Sequence, residues 1–367
     1  MRLSILITKK NILFVPSIMS IRVNGLISFC EFTLLMVKRV PMNFKGSDIL
    51  SIDHYERQDM VTIFSLAAFM ECYAQRKKRT RVLEGALLGN IFFEPSTRTR
   101  VSFETAFYRL GGSVFNIADK MGTSMVKGES LEDTARVLGG YADVLVVRHP
   151  KEGSVKRCAD VSSSPVINAG DGSGEHPTQA LLDLYTIMKE SGRSLDQIDG
   201  LSIAFVGDLK HGRTVHSLAK LLSLFKNIHF ILISPNPLVM PQEIIQQLQS
   251  RGHTLEECRD LASGIGKADV IYMTRIQQER FSNPEDAERY RGCYCLNKGL
   301  YEKQVGSKNV PIMHPLPRDS RPGALEIDQD LDDHPNLAIF RQANNGVPVR
   351  MALFALVLDV ADIFSRT

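Results

Sequence analysis

"LSIAFVGDLKHGRTVHSLAKLLSLFKNIHFILISP", residues 201–235, reads as strand, helix, strand. The first run, 201–208, is short and apolar and is closed by Gly207-Asp208. Val215, Leu218, Leu222 and Phe225 then recur at helical spacing. A second apolar run, 228–235, ends at Pro235. Continuous apolar strands joined through a helix predict a parallel sheet covered on both faces, because an exposed face would read as alternation.

The same cycle extends in both directions. Upstream, Met60, Ile63, Phe64 and Ala67 fall on one helical face, and "GALLGNIFF" (85–93), "ADVLVVR" (142–148) and "PVINAGDG" (165–172) read as buried strands. A helix over 98–110 stops at Gly111-Gly112, and another opens at Pro177. Downstream, "EIIQQLQSRG" reads as a helix, "DVIYMTR" (269–275) and "VPIMHPLPR" (310–318) as strands ending in loops, and "RMALFALVLDVADIF" as an apolar helix. The predicted class is α/β: two doubly wound parallel-sheet domains with the active site in the cleft between them. The expected boundaries are 46–180 and 181–345, with a linker near 181–200. A C-terminal helix within 346–367 is expected to pack back on the first domain.

The 367 residues suit two domains, and 23% charged content is ordinary for a globular enzyme. Residues 1–46 carry seven Lys/Arg and one acid, a net +6; the whole chain is +3, so the remainder is −3. A mildly acidic body argues against nucleic acid as partner. Residues 1–45 are apolar, basic and nearly free of acid, and form an extension. They read either as a targeting segment or as a leader before a working start at Met36 or Met42. Their longest uncharged stretch is too short to span a bilayer, so no membrane partner is expected. The six cysteines form no framework and no zinc spacing. Reduced thiols point to the cytoplasm, or to an organelle if residues 1–45 are a transit peptide.

In open parallel sheets, ligands bind beyond the carboxyl ends of the strands. Those ends carry Ser96, Thr97, Arg98 and Thr99; Arg148 and His149; His176 and Gln179; Arg213; Arg275 and Gln277; and His314, Pro315, Leu316 and Arg318. So many cations and donors on one edge predict a small ligand with several negative charges. "FFEPSTRTRVSFE" (92–104) adds a helix N-terminus, whose free N–H groups and dipole favour anions. Capping explains one hydroxyl there, but not three hydroxyls with two arginines. There is no GxxxxGK[ST] and no GxGxxG, which points away from nucleotides towards a small phosphorylated metabolite.

"FFEPSTRTRVSFE", "VVRHP", "GDGSGEHPTQALLDLYTI", "VGDLKHGRTVHSL", "YMTRIQQER" and "MHPLPR" together resemble the catalytic chains of the aspartate carbamoyltransferase family, over about residues 46–365 and in the same order. "STRTR" is shared with the ornithine enzymes; "HPTQ" and "HPLPR" stand where those typically show HPCQ and HCLP. The resemblance implies carbamoyl transfer from carbamoyl phosphate to L-aspartate, an early step of pyrimidine synthesis, with no metal or organic cofactor. It makes 46–180 the carbamoyl-phosphate domain and 181–345 the aspartate domain. Ser96, Thr97, Arg98 and Thr99 would hold the phosphate, and Arg148 would bridge phosphate and carbonyl oxygen. Thr99, Arg148 and His176 would polarise that carbonyl. Gln179 and the carbonyl of Leu316 would hold the carbamoyl NH₂. Arg213, Arg275 and Gln277 would grip the aspartate carboxylates, and the carbonyls of Pro315 and Leu316 would position its amine.

The loop "KMGTSMVKGESLED" supplies Ser124 and Lys127, which in this family reach the neighbouring subunit's site, Ser124 at the carbamoyl phosphate and Lys127 at both substrates, so a homotrimer with shared sites is implied. Two departures are "VK" where some members carry two lysines, and His211 where some carry tyrosine. Another amino-acid acceptor, a non-catalytic assembly paralogue and attached regulatory chains stay open at this point. His149 and His216 read as packing or local hydrogen-bonding residues, and the C-terminal Met/Leu/Phe stripe as core.

Overall fold

The computed structural model describes residues 42–118, 124–281 and 283–365. The expectation for the N-terminal extension therefore lies, through residue 41, outside the described residues. The first half runs α1 (Arg57–Ala74), β1 (Leu87–Phe92), α2 (Thr97–Arg109), β2 (Ser113–Ile117), α3 (Leu131–Tyr141), β3 (Val144–His149), α4 (Ser154–Val161), β4 (Val166–Asp171) and α5 (Pro177–Ser191). The second half runs β5 (Ser202–Val206), α6 (Arg213–Leu222), β6 (His229–Ile233), α7 (Gln242–Ser250), β7 (Thr254–Cys258), α8 (Leu261–Ile265), β8 (Val270–Met273), α9 (Pro284–Arg289), α10 (Lys298–Val305) and β9 (Ile312–Met313). It closes with α11 (Ile339–Val357) and α12 (Asp362–Ser365).

Two wholly parallel sheets result, in the orders β2-β1-β3-β4 and β7-β6-β5-β8-β9. Each order reverses once, between β1 and β3 and between β5 and β8. A crevice opens beyond the strand ends at such a reversal, because the two connections leave in opposite directions. Register pairs Phe92 with Arg148 at the first reversal and Val206 with Met273 at the second. The strand-end motifs thus sit at the two places the topology leaves open.

Beyond helices not read from the sequence (α3, α4, α8, α9 and α10), four features differ from the sequence-based expectation. β2 and β7 are additional, and both are sheet edges. Their burial is partial and interrupted by exposed positions, so neither presents an apolar run. The run 310–318 shrinks to two strand residues, because its polar half forms a loop at the crevice. The expected linker near 181–200 is helical through Ser191, since α5 runs on across residue 180. Its residues 180–187 are buried, packed against α6 and α11. The C-terminal helix opens at Ile339, ahead of residue 346, and packs on α1, α2 and α5. One apolar core accordingly runs from Phe103 and Phe107 through Leu181, Leu184 and Phe354 to Phe205 and Leu218. Among the described residues no helix is long and apolar enough to cross a membrane.

Candidate active site

Both crevices open into one cavity of about 440 Å³. It is lined by Ser96, Thr97, Arg98, Thr99, Arg148, His176, Gln179, Arg213, Arg275, Gln277, Pro315 and Leu316, so residues of every expected strand end except Lys127's loop meet there. Six arginines line it (Arg98, Arg148, Arg213, Arg275, Arg280 and Arg350), against one carboxylate, Glu94. That imbalance is tolerable only if an anion completes the site, because buried like charges raise each other's energy.

At the first crevice Ser96 occupies the N-cap of α2 with extended backbone, yet its side chain makes no capping hydrogen bond. The hydroxyl is left for a ligand, as are the N–H groups of the helix's first turn. Burial and then the facing Arg275 hold the Arg98 guanidinium below its ordinary pKa. Arg98 comes from the first half of the chain and Arg275 from the second, so the two sheets present positive charge to each other.

Arg148 is the penultimate residue of β3 and is only 7% exposed. Its Nη1 donates to the Ala169 carbonyl at 3.1 Å. Its Nε lies 3.2 Å from Glu94 Oε2, without the angle of a hydrogen bond. Burial, with Arg213 next in weight, lowers its pKa to about 10, so it stays charged at neutral pH. Gly170, at φ +126°, allows this approach: a Cβ there would lie 2.9 Å from Arg148 Nη1.

His176 precedes the first turn of α5 and is 3% exposed. Its backbone N–H donates to Ser217 Oγ at 3.0 Å, while its Nδ1 is buried without a hydrogen-bond partner. The side chain is therefore not a helix cap. Burial, then Arg148, Arg213 and Arg350, push its pKa well below the usual value, so the ring is neutral. A neutral imidazole can give one N–H to a carbonyl oxygen. One turn on, Gln179 donates from Nε2 to Asp183 Oδ1 at 2.9 Å.

At the second crevice Arg213 opens α6. Its Nη1 donates to the Gly172 carbonyl at 2.6 Å and reaches Glu94 Oε2 at 3.4 Å. Glu94 thereby joins Arg148 of one sheet to Arg213 of the other. Leu316 adopts φ +59°, a left-handed conformation that L-residues seldom hold, and its N–H donates to His314 Nδ1 at 2.8 Å. That bond leaves the proton on Nε2, 2.8 Å from Glu326 Oε1.

Lys127 is exposed on the 3₁₀ turn Ser124–Lys127 and does not line the cavity, and the side chain of Ser124 lies outside the described residues. His149 packs edge-on against Phe93, and His216 Nε2 pairs with the Leu209 carbonyl. Glu94, Ser102, Thr214, Arg280, Gln342 and Arg350 were not singled out from the sequence. Arg350 is the instructive omission. A lone cation in the apolar run "VPVRMALF" is itself a signal, and the residue is buried on Ser102 and the Phe103 ring. Among the described residues no group of three His, Cys, Asp or Glu could hold a metal ion.

Residues 47–189 match the carbamoyl-phosphate-binding domain of the aspartate/ornithine carbamoyltransferases, and residues 199–357 match the Asp/Orn-binding domain of the same family. This chain belongs to that family. Its similarity lies on the aspartate side. The aspartate carbamoyltransferase catalytic subunit of Saccharophagus degradans is 59% identical over 324 residues, covering 88% of this chain and 95% of that one. The Methanocaldococcus jannaschii catalytic subunit is 46% identical, with 85% and 97% covered. In solved structures, the Trypanosoma cruzi aspartate transcarbamoylase in complex with N-(phosphonacetyl)-L-aspartic acid superimposes with a TM-score of 0.79 at 38% identity. It covers 87% of this chain and 98% of that chain. The same enzyme has also been solved with carbamoyl phosphate and aspartate together, likewise at TM-score 0.79 and 38% identity, covering 87% and 99%. The carbamoyltransferase fold and family are therefore those read from the strand-end motifs.

Proposed function

We propose that this cavity transfers the carbamoyl group of carbamoyl phosphate to the amine of L-aspartate, giving N-carbamoyl-L-aspartate and phosphate for pyrimidine synthesis. The observation that carries the reading is the facing of two arginine-bearing crevices, one from each sheet, across a buried neutral histidine. One crevice supplies the phosphate site: Ser96, Thr97, Arg98 and Thr99 at the N-terminus of α2. The other supplies Arg213, Arg275 and Gln277 for an acceptor with two carboxylates.

The chemistry follows from placement. Arg148, Thr99 and His176 converge on the carbonyl oxygen, while Gln179 and the Leu316 carbonyl accept from the carbamoyl NH₂. The amine, held by the carbonyls of Pro315 and Leu316, forms the new C–N bond. Negative charge then gathers on the oxygen facing Arg148 and His176; as the tetrahedral centre collapses, the C–O bond to phosphate breaks and the departing phosphate takes the proton that the amine gives up. Preorganised donors aimed at such an oxyanion supply about 3 kcal/mol each by mutational measure. Orientation of two bound anions supplies much of the rest, so no covalent intermediate is needed. A neutral His176 serves this role better than a cation, because it adds no repulsion beside Arg148 and Arg213. The reading uses no metal or organic cofactor.

The exposure of Lys127, away from its own chain's cavity, supports a homotrimer in which Ser124 and Lys127 complete the neighbouring site. The unpaired thiols of Cys72, Cys158, Cys258, Cys293 and Cys295 suit a reducing, cytoplasmic compartment. The direct test is purified protein with carbamoyl phosphate and either L-aspartate or ornithine. Carbamoyl-aspartate should accumulate far faster than citrulline; the reverse order overturns the assignment.

A further inference from the structure

Asp183 lies one turn beyond Gln179 on α5, fully buried behind the cavity rather than lining it. Three donors from three elements converge on it. Gln179 Nε2 of α5 reaches Oδ1 at 2.9 Å, Gln342 Nε2 of α11 reaches the same oxygen at 2.6 Å, and the Tyr272 hydroxyl of β8 reaches Oδ2 at 2.7 Å. Burial pushes the Asp183 carboxyl up to about 7, while the three donors favour its ionised form; as a carboxylate it only accepts, so each amide turns its NH₂ towards it. Gln179 is left with Oε1 as the polar atom available to the cavity it lines. Gln342 is left with Oε1 pointing elsewhere, and it accepts the backbone N–H of His314 at 2.8 Å. His314 Nδ1 in turn accepts the N–H of Leu316 at 2.8 Å, at the residue held at φ +59°.

Two short chains of hydrogen bonds thus leave one carboxylate. One ends on the side-chain oxygen of Gln179. The other passes through Gln342 and His314 to the N–H of Leu316, and so fixes the residue whose carbonyl faces the cavity. Under the functional reading above, on which this step rests, these are the two acceptors of the carbamoyl NH₂. We infer that Asp183 is a positioning residue that presents both acceptor oxygens to the carbamoyl NH₂, and so selects carbamoyl phosphate over acyl phosphates that lack an N–H. Without a fixed acceptor at its back, the Gln179 amide can flip and set its own NH₂ against that of the ligand. A site committed to acceptors also rejects a methyl group in place of NH₂, because its buried oxygens would go unpaired. Nothing in this role needs the negative charge itself. An asparagine can keep its oxygen towards the two glutamines and turn its NH₂ to the Tyr272 oxygen.

The test compares carbamoyl phosphate with acetyl phosphate, which keeps the phosphate and carbonyl but carries CH₃ for NH₂. The KM for carbamoyl phosphate, kcat, and the Ki of acetyl phosphate and of inorganic phosphate are measured in Asp183→Leu, Asp183→Asn, Gln342→Met and Gln179→Leu proteins. Asp183→Leu should raise the carbamoyl phosphate KM about 10-fold or more, the worth of one buried hydrogen bond to a charged partner. Both Ki values should stay within about 2-fold, so that discrimination falls. Asp183→Asn should restore most of it. Gln342→Met, which cuts only the Leu316 branch, should give a smaller loss with the same selectivity, and it decides the matter if Asp183→Leu does not fold. Equal weakening of all three ligands means a merely structural role and overturns the inference. Unchanged discrimination in Asp183→Leu or Gln342→Met, while Gln179→Leu loses it, overturns the inference alone. Unchanged discrimination in Gln179→Leu overturns the reading of Gln179 and the inference with it.

Discussion

If Lys127 serves the neighbouring subunit, two inactive proteins should repair each other. Arg98 lines the cavity of its own chain on the first turn of α2, whereas Lys127 lies on the exposed turn Ser124–Lys127, away from that cavity. On the proposed reading, Arg98→Ala removes the phosphate clamp from every site of a trimer. Lys127→Ala removes the loop cation from every site. Loss of a charge-assisted contact that strengthens in the transition state costs about 100-fold or more in rate, so each pure protein should be nearly dead. Neither change should unfold the chain, since truncating an exposed lysine alters stability by about 0.5 kcal/mol or less. After dissociation and random reassociation of equal amounts, four site types form. Only one of them, a Lys127→Ala clamp beside an Arg98→Ala loop, has both groups. Cyclic pairing makes that about one site in four, so about 25% of wild-type activity should return. The assay is carbamoyl-aspartate formation before and after mixing, with differently tagged chains used to prove exchange. Proven exchange with no recovery would show that each loop serves its own chain, and would sink the shared site while leaving the reaction assignment intact.

Other consequences follow from the cavity's geometry. Arg213→Met should raise the KM for L-aspartate about 10- to 100-fold, the loss of one charge-assisted pair, while leaving phosphate inhibition nearly unchanged; a selective loss of phosphate binding would contradict its placement at the second crevice. Gly170→Ala should lower kcat and cost about 1–3 kcal/mol of stability, because φ +126° and a Cβ 2.9 Å from Arg148 Nη1 are both unfavourable. An unchanged melting temperature and rate would show that Arg148 is not held there. His176 titrates well below its ordinary value in the folded protein. The unfolded chain therefore binds the extra proton first as pH falls through about 6.5, so stability from this group is full above that pH and is lost below it. Imidazole NMR shifts should show a neutral ring at pH 6, and a protonated one would refute the environment described.

The central strands were legible in the amino-acid order because strands buried on both faces must be apolar throughout. β1, β3, β5, β6 and β8 all announce themselves as such runs, and so does β4, an edge strand whose every residue is buried. β2 and β7 did not, since these edge strands are partly exposed and so tolerate Asn116, Glu256 and Glu257. Most of the site was legible for a related reason. Polar residues massed at the ends of apolar strands have no packing role to fill, so Arg98, Arg148, Arg213 and Arg275 stood out, and parallel order sends all those ends the same way. What the order of residues could not supply was pairing across distance. Asp183 and Gln342 lie 159 positions apart and meet only because α11 returns across α5. Arg350, inside the run read as an apolar helix, finds Ser102 and the Phe103 ring only once that helix packs against α2. Periodicity tells which face of an element is buried. The partner of a buried polar group depends on which elements pack together, and that is decided by the closing of the whole core.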